Sequence, residues 1–179
     1  PYDPYLSYGD KSAKGAYRSI GINRNDFMAL LQMRPDQPKE SCAVEWVAYA
    51  SNAFNTMVPF YANVERTPEY LANTTGTVST DNFYWTSRLI AAMADASYNK
   101  SLFHLERYEE AVLSAARALV NQYDAKLAAE PDTARRAALR EEANTAIAAM
   151  LQEKAADTLD KVLFELSSQM KNAYSRSDA

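Results

Sequence analysis

The sequence predicts an α+β protein that is mostly helical, with a two-stranded β unit followed by a long antiparallel helical hairpin. Two short apolar runs between residues 27 and 49 are bounded by Asn, Asp and Pro, as strands commonly are. Beyond residue 83, apolar residues recur every three or four positions, and Pro131 interrupts that stripe. The 179 residues, of which 47% are hydrophobic, suffice for one domain with a core.

Residues 1–19 predict a loop or linker, because they are rich in Tyr, Ser, Gly, Asp and Pro and show no periodicity. The chain opens on Pro1-Tyr2-Asp3 without an initiator Met or a signal-peptide pattern. We therefore expect it to be part of a longer protein.

The predicted strands are Phe27–Met33 and Val44–Tyr49, joined by a hairpin loop over residues 34–41 that contains two prolines. Because a two-stranded unit is only marginally stable in water, we expect these strands to belong to a larger sheet that other residues complete.

Residues 51–82 are predicted to be irregular, since Asn, Pro and Gly interrupt every longer pattern. Long loops of this kind are often functional. Its apolar residues are expected to anchor the loop to a core: Phe54, Met57, Val58, Phe60 and Tyr61. The region 1–82 is thus predicted to hold loops and one β hairpin.

The region 83–179 is predicted to be helical. The expected helices are Phe83–Ala94, with Ser79, Thr80 or Asp81 as cap, then Lys100–Ala129 and Thr133–Tyr174. A short break separates the two long helices, so they should pack as an antiparallel hairpin. The wide, Ala-rich stripe lacks a clean heptad, which favours this over an intermolecular coiled coil. The charged residues around 135–142 are expected to form a solvated face.

Composition excludes several classes of function. The net charge of -4 and the absence of a basic stripe argue against nucleic acid as a partner. No apolar run is long enough to span a membrane, and neither long helix has a basic face, so no membrane contact is expected. The sequence has no phosphate-binding loop and no zinc motif, and we expect no cofactor and no metal.

The single histidine and the single cysteine are both interpreted as structural. His104 lies near the start of a predicted helix, where a partly buried or capping histidine is expected rather than a member of a triad. Cys42 lies at the entrance to a strand with no histidine close in sequence to activate its thiol.

Several segments, in order, resemble the dipeptidase A family of cysteine peptidases, which are N-terminal-nucleophile hydrolases. The residues that carry the resemblance are 17–25, 30–34, 44–48, 52–64 and 78–90, within residues 1–110. Examples are Gly21-Ile22-Asn23-Arg24-Asn25 and Phe83-Tyr84-Trp85-Thr86-Ser87-Arg88. The last helices are similar to the family only in general character.

The resemblance implies a four-layer αββα sandwich, of which residues 1–179 would be the C-terminal portion of one peptidase domain. The family's nucleophile is an N-terminal cysteine whose own amine serves as base, so no histidine is needed. Pro1 and Cys42 do not match that cysteine, so no catalytic residue is expected in this chain. The implied substrate is a dipeptide, and the implied partner is the N-terminal portion of the same protein. The fragment alone should be inactive, and the location cytoplasmic.

The residues expected to bind substrate are Asn23, Arg24, Asn52, Asn55 and Arg88. An arginine can bind a peptide carboxylate with two hydrogen bonds, and the asparagines can offer amide donors. The structural alternative for each is an arginine that holds a loop or an asparagine in a turn.

The rival interpretation is a non-enzymatic interaction module whose helical hairpin binds a partner. A homo-oligomer is compatible with either function.

Overall fold

The computed structural model describes residues 25–170, except for the side chain of Asn52. It contains a three-stranded antiparallel sheet, β1 (Phe27–Met33), β2 (Ala43–Tyr49) and β3 (Val58–Tyr61), in the order β1-β2-β3. The register places Leu30 opposite Trp46, and Trp46 opposite Pro59. The two predicted strands and the loop between them are confirmed.

The prediction of a two-stranded unit is wrong, because β3 lies inside the stretch expected to be irregular. β3 has only four residues, and its Pro59 argues against a strand in sequence. The structure tolerates Pro59 because β3 is an edge strand of the described sheet. Phe60 and Val58 direct their backbone groups to β2, so the nitrogen of Pro59 points away from the ladder.

The free edge of β3 is covered by a side chain from a helix. The Oδ1 of Asn144 accepts a hydrogen bond from the backbone N–H of Tyr61 at 2.8 Å. The Nδ2 of Asn144 donates to the carbonyl of Tyr61 at 3.0 Å. The amide of Asn144 therefore takes the place of a neighbouring strand at this edge.

The helices are α1 (Glu69–Ala72), α2 (Phe83–Ala96), α3 (Tyr98–Ala129) and α4 (Thr133–Ser167), and a short 3-10 turn covers Asn52–Phe54. The side chain of Asn82, rather than of Ser79, Thr80 or Asp81, caps α2 by accepting from the N–H of Trp85 at 2.9 Å. The side chain of Asp132 caps α4.

The two long helices form the predicted antiparallel hairpin. His104, near the start of α3, contacts Glu165, near the end of α4. At the opposite end, Leu127 packs with Leu139 in one buried cluster. Along α4 the small residues Ala143, Ala148 and Ala155 are buried, which lets the backbones come close.

Both faces of β2 and β3 pack against helices. One face contributes Val44 and Tyr61 to the cluster with Leu127, Leu139 and Ala143. The other contributes residues to a larger core formed with all the helices: Val47, Val58 and Phe60. β1 contributes no buried residue to either cluster, and its side chains are mostly exposed.

The expectation that residues 135–142 form only a solvated face is wrong for Arg140, which is 6% exposed. Its Nε donates to the carbonyl of Asn63 at 2.8 Å, so this arginine ties α4 to the loop after β3. No helix among residues 25–170 is long and apolar enough to cross a membrane.

Candidate functional site

The start of β1 and the end of β2 meet at a sharp corner of the sheet. The N–H of Ala50 donates to the carbonyl of Asp26 at 2.8 Å. Ala50 has a φ of 63° and is buried, although it carries a Cβ that makes this left-handed conformation unfavourable. Such backbone strain is concentrated at functional sites, where the surrounding structure has to enforce it. The corner therefore identifies the first candidate site.

Asn55 holds this corner with its side chain. Its Nδ2 donates to the carbonyl of Tyr49, and its Oδ1 accepts from the N–H of Thr56 at 2.8 Å. Its oxygen and its amide nitrogen are both engaged with backbone groups, as in a turn. Asn52 begins the 3-10 turn that leads out of the corner, and its side chain lies outside the described part of the structure.

Arg88 approaches the corner from α2. Its Nη1 lies 3.3 Å from Oδ1 of Asp26, and the two side chains remain 43% and 59% exposed. An ion pair this exposed contributes little to stability, about 0–1 kcal/mol. Arg88 also lines a depression of about 230 Å³ between α2 and the 3-10 turn, together with the acidic residue Asp95. Arg88 thus makes an exposed ion pair and lies beside an open depression.

The sequence-predicted residues converge only in part. Asn55, Arg88 and the backbone of Asn52 are found at the same end of the sheet, but the side chains of Asn55 and Arg88 line different cavities. Asn23 and Arg24 lie outside the described residues. Asp26, which was not predicted, is the ion-pair partner of Arg88; its position, just after Asn23-Arg24-Asn25, was the only signal available in the sequence.

A second cavity of about 320 Å³ opens on the sheet face beside Tyr49. Phe27, Glu45 and Tyr49 line it from the sheet, and the loop over 62–68 closes it from the other side. Glu141 fixes that loop, because its carboxylate accepts from the N–H groups of Glu65 at 2.7 Å and Arg66 at 3.2 Å. Burial, assisted by the charge of Glu45, raises the pKa of Tyr49, so its hydroxyl stays a neutral donor.

At the opposite end of β1, Arg34 forms a clamp that the sequence did not reveal. Arg34 pairs with Asp124 of α3, at 2.6 Å and 3.2 Å. The hydroxyl of Tyr61 donates to the same carboxylate at 2.7 Å. Burial and the bond to Asp124 raise the pKa of Tyr61. The 90 positions between Arg34 and Asp124 gave no local signal for this contact.

His104 contacts the other helix of the hairpin, and Cys42 contacts its own loop. The Nε2 of His104 lies 3.4 Å from Oε1 of Glu165, and its side chain is partly buried, at 21% exposed. The thiol of Cys42 donates to the carbonyl of Lys39 at 3.3 Å. Among residues 25–170, no group of three or more His, Cys, Asp or Glu side chains is arranged to hold a metal ion.

Comparison with known proteins gives similarity over nearly the whole chain. The family model described as Peptidase family C69 matches residues 1–111. A "Probable dipeptidase A" of Streptococcus pyogenes serotype M18 is 43% identical over 177 residues, which cover 99% of this chain and 36% of that protein. A "Dipeptidase" of Bifidobacterium longum is 35% identical over 215 residues, covering 99% of this chain and 40% of its own length.

The similarity to a "Dipeptidase A" of Lactobacillus helveticus is shorter, at 42% identity over 98 residues, or 55% of this chain and 20% of that protein. The chain therefore spans little more than a third of the length of the curated relatives that match it throughout.

Proposed function

This chain belongs to peptidase family C69, and on that premise we propose that it is part of a dipeptidase. The observation that carries the proposal is the alignment of 99% of the chain with a protein named as a probable dipeptidase A. The rival interpretation as a helical interaction module has no comparable support.

The chemistry we propose uses a cysteine nucleophile at the N-terminus of the mature enzyme, outside these 179 residues. Its terminal amine takes the proton of the thiol, and the sulfur attacks the peptide carbonyl. The C-terminal amino acid leaves, and water then hydrolyses the thioester to release the second amino acid. The weak pairing of His104 with Glu165 and the bonding of Cys42 to its own loop support a nucleophile elsewhere.

The fold we propose for the whole enzyme is the αββα sandwich, with this chain as its C-terminal portion. The described sheet would be part of one β layer, and α3 and α4 part of a helical layer packed on it. The cluster of Val44 and Tyr61 with Leu127 and Leu139 supports a helical layer on one face of the sheet. The other face, which a sandwich would place against a second sheet, also packs on helices. We expect this enzyme in the cytoplasm, with the N-terminal portion of the same protein as its partner.

The substrate-binding residues in the proposal remain Asn23, Arg24, Asn52, Asn55 and Arg88. A dipeptidase has to recognise a free carboxylate close to the scissile bond, and a guanidinium does so with two parallel hydrogen bonds. Among the residues that the structure describes, Arg88 suits that role, because its one contact with Asp26 can be exchanged for a carboxylate. Asn55 would act by holding the corner rather than by touching substrate.

A panel of end-blocked substrates tests this function in the full-length protein. We expect hydrolysis of a free dipeptide, and a loss of about 100-fold or more in kcat/KM when its C-terminal carboxylate is converted to an amide. A tripeptide of matching side chains serves as the length control. Equal turnover of dipeptide, amide and tripeptide would show a general peptidase, and no turnover of any of them would refute the proposal.

A further inference from the structure

Within residues 25–170, the outer edge of β1 carries a full row of backbone groups without a strand partner. The carbonyl of Asp26 accepts a hydrogen bond from the N–H of Ala50, and the N–H of Arg34 donates to the carbonyl of Cys42. Ala50 and Cys42 directly flank β2. In an antiparallel ladder such bonded residues alternate, so Met28, Leu30 and Gln32 also face β2. The N–H and C=O groups of Phe27, Ala29, Leu31 and Met33 therefore point to the free edge, and no strand among residues 25–170 pairs with them.

As far as the described residues go, this edge has none of the protection that exposed edges usually have. Stable proteins block a free edge with lysine, proline, a bulge or a covering element. At the other side of the sheet, Pro59 and the amide of Asn144 do this for β3. By contrast, β1 reads Phe-Met-Ala-Leu-Leu-Gln-Met, without a charge or a proline. An edge of this kind is expected to be covered.

Both faces of β1 are also largely apolar, and the described residues leave most of their side chains exposed. Phe27, Leu31 and Met33 lie on one face and are 57%, 76% and 70% exposed. On the other face, Met28 and Leu30 line an open cavity of about 770 Å³ between β1 and α3. Soluble proteins rarely leave large apolar side chains exposed together, so the whole strand marks an interface.

The geometry selects among the possible occupants. A second copy that paired β1 with β1 would satisfy the edge, but it would double the exposed apolar faces instead of covering them. A larger body is needed, with a strand for the edge and further residues for both faces. Relatives such as the one from Streptococcus pyogenes contain nearly two-thirds of their length outside the matched region, which is enough chain for such a body.

We infer that β1 is an internal strand of the complete peptidase, hydrogen-bonded on its outer edge to a strand from the remaining portion of the same polypeptide. This rests on the proposed membership of the chain in a longer enzyme. It assigns the exposed residues of β1 to the interface between the two portions, and it makes the sheet at least four-stranded.

Hydrogen exchange in the full-length protein, resolved to single amides, tests the pairing. The amides of Ala29, Leu31 and Met33 should be protected about 100-fold or more, to the same degree as those of Met28 and Leu30, which already bond to β2. Free exchange at the outward amides, with protection retained at the inward ones, would overturn the inference. Protection that disappears on dilution to the monomer would overturn it in favour of a second copy.

A pair of substitutions tests the covering of the face. In the full-length protein, Leu31→Asp should lower the Tm by about 2–5 °C, because a buried leucine would be replaced by a charge. Leu163→Asp on α4, where the leucine is 50% exposed, is the matched control and should shift the Tm by less. Equal shifts would contradict the inference. Protected outward amides without dipeptide hydrolysis would refute the activity alone and leave the pairing intact.

Discussion

We expect substrate recognition to depend on Arg88 more than on any other described residue. Within residues 25–170 its one ion pair is with Asp26 at the strained corner near Ala50, and both side chains are accessible to solvent. A structural arginine would be expected to make several buried bonds, as Arg34 does with Asp124 and with the carbonyl of Ser41. We therefore interpret Arg34 as a structural residue and Arg88 as a candidate for binding a carboxylate.

Replacing Arg88 by lysine should lower kcat/KM for dipeptides about 10- to 100-fold in the full-length enzyme, since lysine keeps the charge but not the two parallel hydrogen bonds. Steady-state kinetics and thermal unfolding are measured together. Arg135→Lys on α4, where Arg135 pairs with Glu142 at 2.7 Å, is the matched control and should change neither. A lower Tm with normal kinetics would assign Arg88 to structure.

Arg24 is predicted to share this role, as it precedes Asp26 by two positions in the sequence. Arg24→Lys should raise KM or lower kcat/KM by an amount equivalent to about 1.5–3 kcal/mol, typical of a hydrogen bond to a charged group. The melting temperature should be nearly unchanged. A destabilised enzyme that keeps normal kinetics would contradict the role.

Among the secondary-structure elements, those with a regular hydrophobic period could be predicted from the sequence. The strand Phe27–Met33, the helical hairpin and its break at Pro131 all follow from local patterns. β3 could not be predicted, because its four residues include a proline and its edge is satisfied by Asn144, which lies 83 positions from Tyr61. The left-handed conformation at Ala50 could not be predicted either, because it is usually signalled by a glycine and this position is an alanine. Contacts between distant residues leave no local pattern.

The covering of the β3 edge by Asn144 is measurable as stability. Asn144→Ala would leave the buried N–H and C=O of Tyr61 without partners, and should cost about 2–4 kcal/mol in the free energy of unfolding. Chemical denaturation provides the measurement. Thr145→Ala, at the exposed neighbouring position on α4, should stay within about 0.5 kcal/mol. Similar costs for both variants would show that the edge does not depend on Asn144.

For the whole molecule, buried tyrosines make the stability of the folded state depend on pH in the alkaline range. Burial raises the pKa of Tyr108 on α3, and of Tyr61 and Tyr70, above the ordinary value of 10.0. Each group holds its proton more tightly in the folded state. The stability that this provides is complete below pH 10 and falls as the pH rises above it, when the unfolded chain ionises first.

Tyr108→Phe should therefore reduce the loss of stability above pH 10. One such tyrosine contributes at most about 1.4 kcal/mol per pH unit to the slope. Denaturant unfolding at several pH values between 9 and 11.5 measures the slope for the wild type and the variant. An unchanged slope would show that the Tyr108 hydroxyl is accessible to solvent in the folded protein.

We propose that this chain belongs to a dipeptidase whose nucleophile lies outside the 179 residues. The most direct measurement compares dipeptide hydrolysis by the full-length protein, by its Cys42→Ala variant and by the 179-residue chain alone. We expect full activity in the first two and none in the third, because the thiol of Cys42 donates to a carbonyl of its own loop and no described residue is placed to activate it. Thiol-dependent turnover by the isolated chain, or its loss in the full-length Cys42→Ala variant with folding intact, would contradict the account.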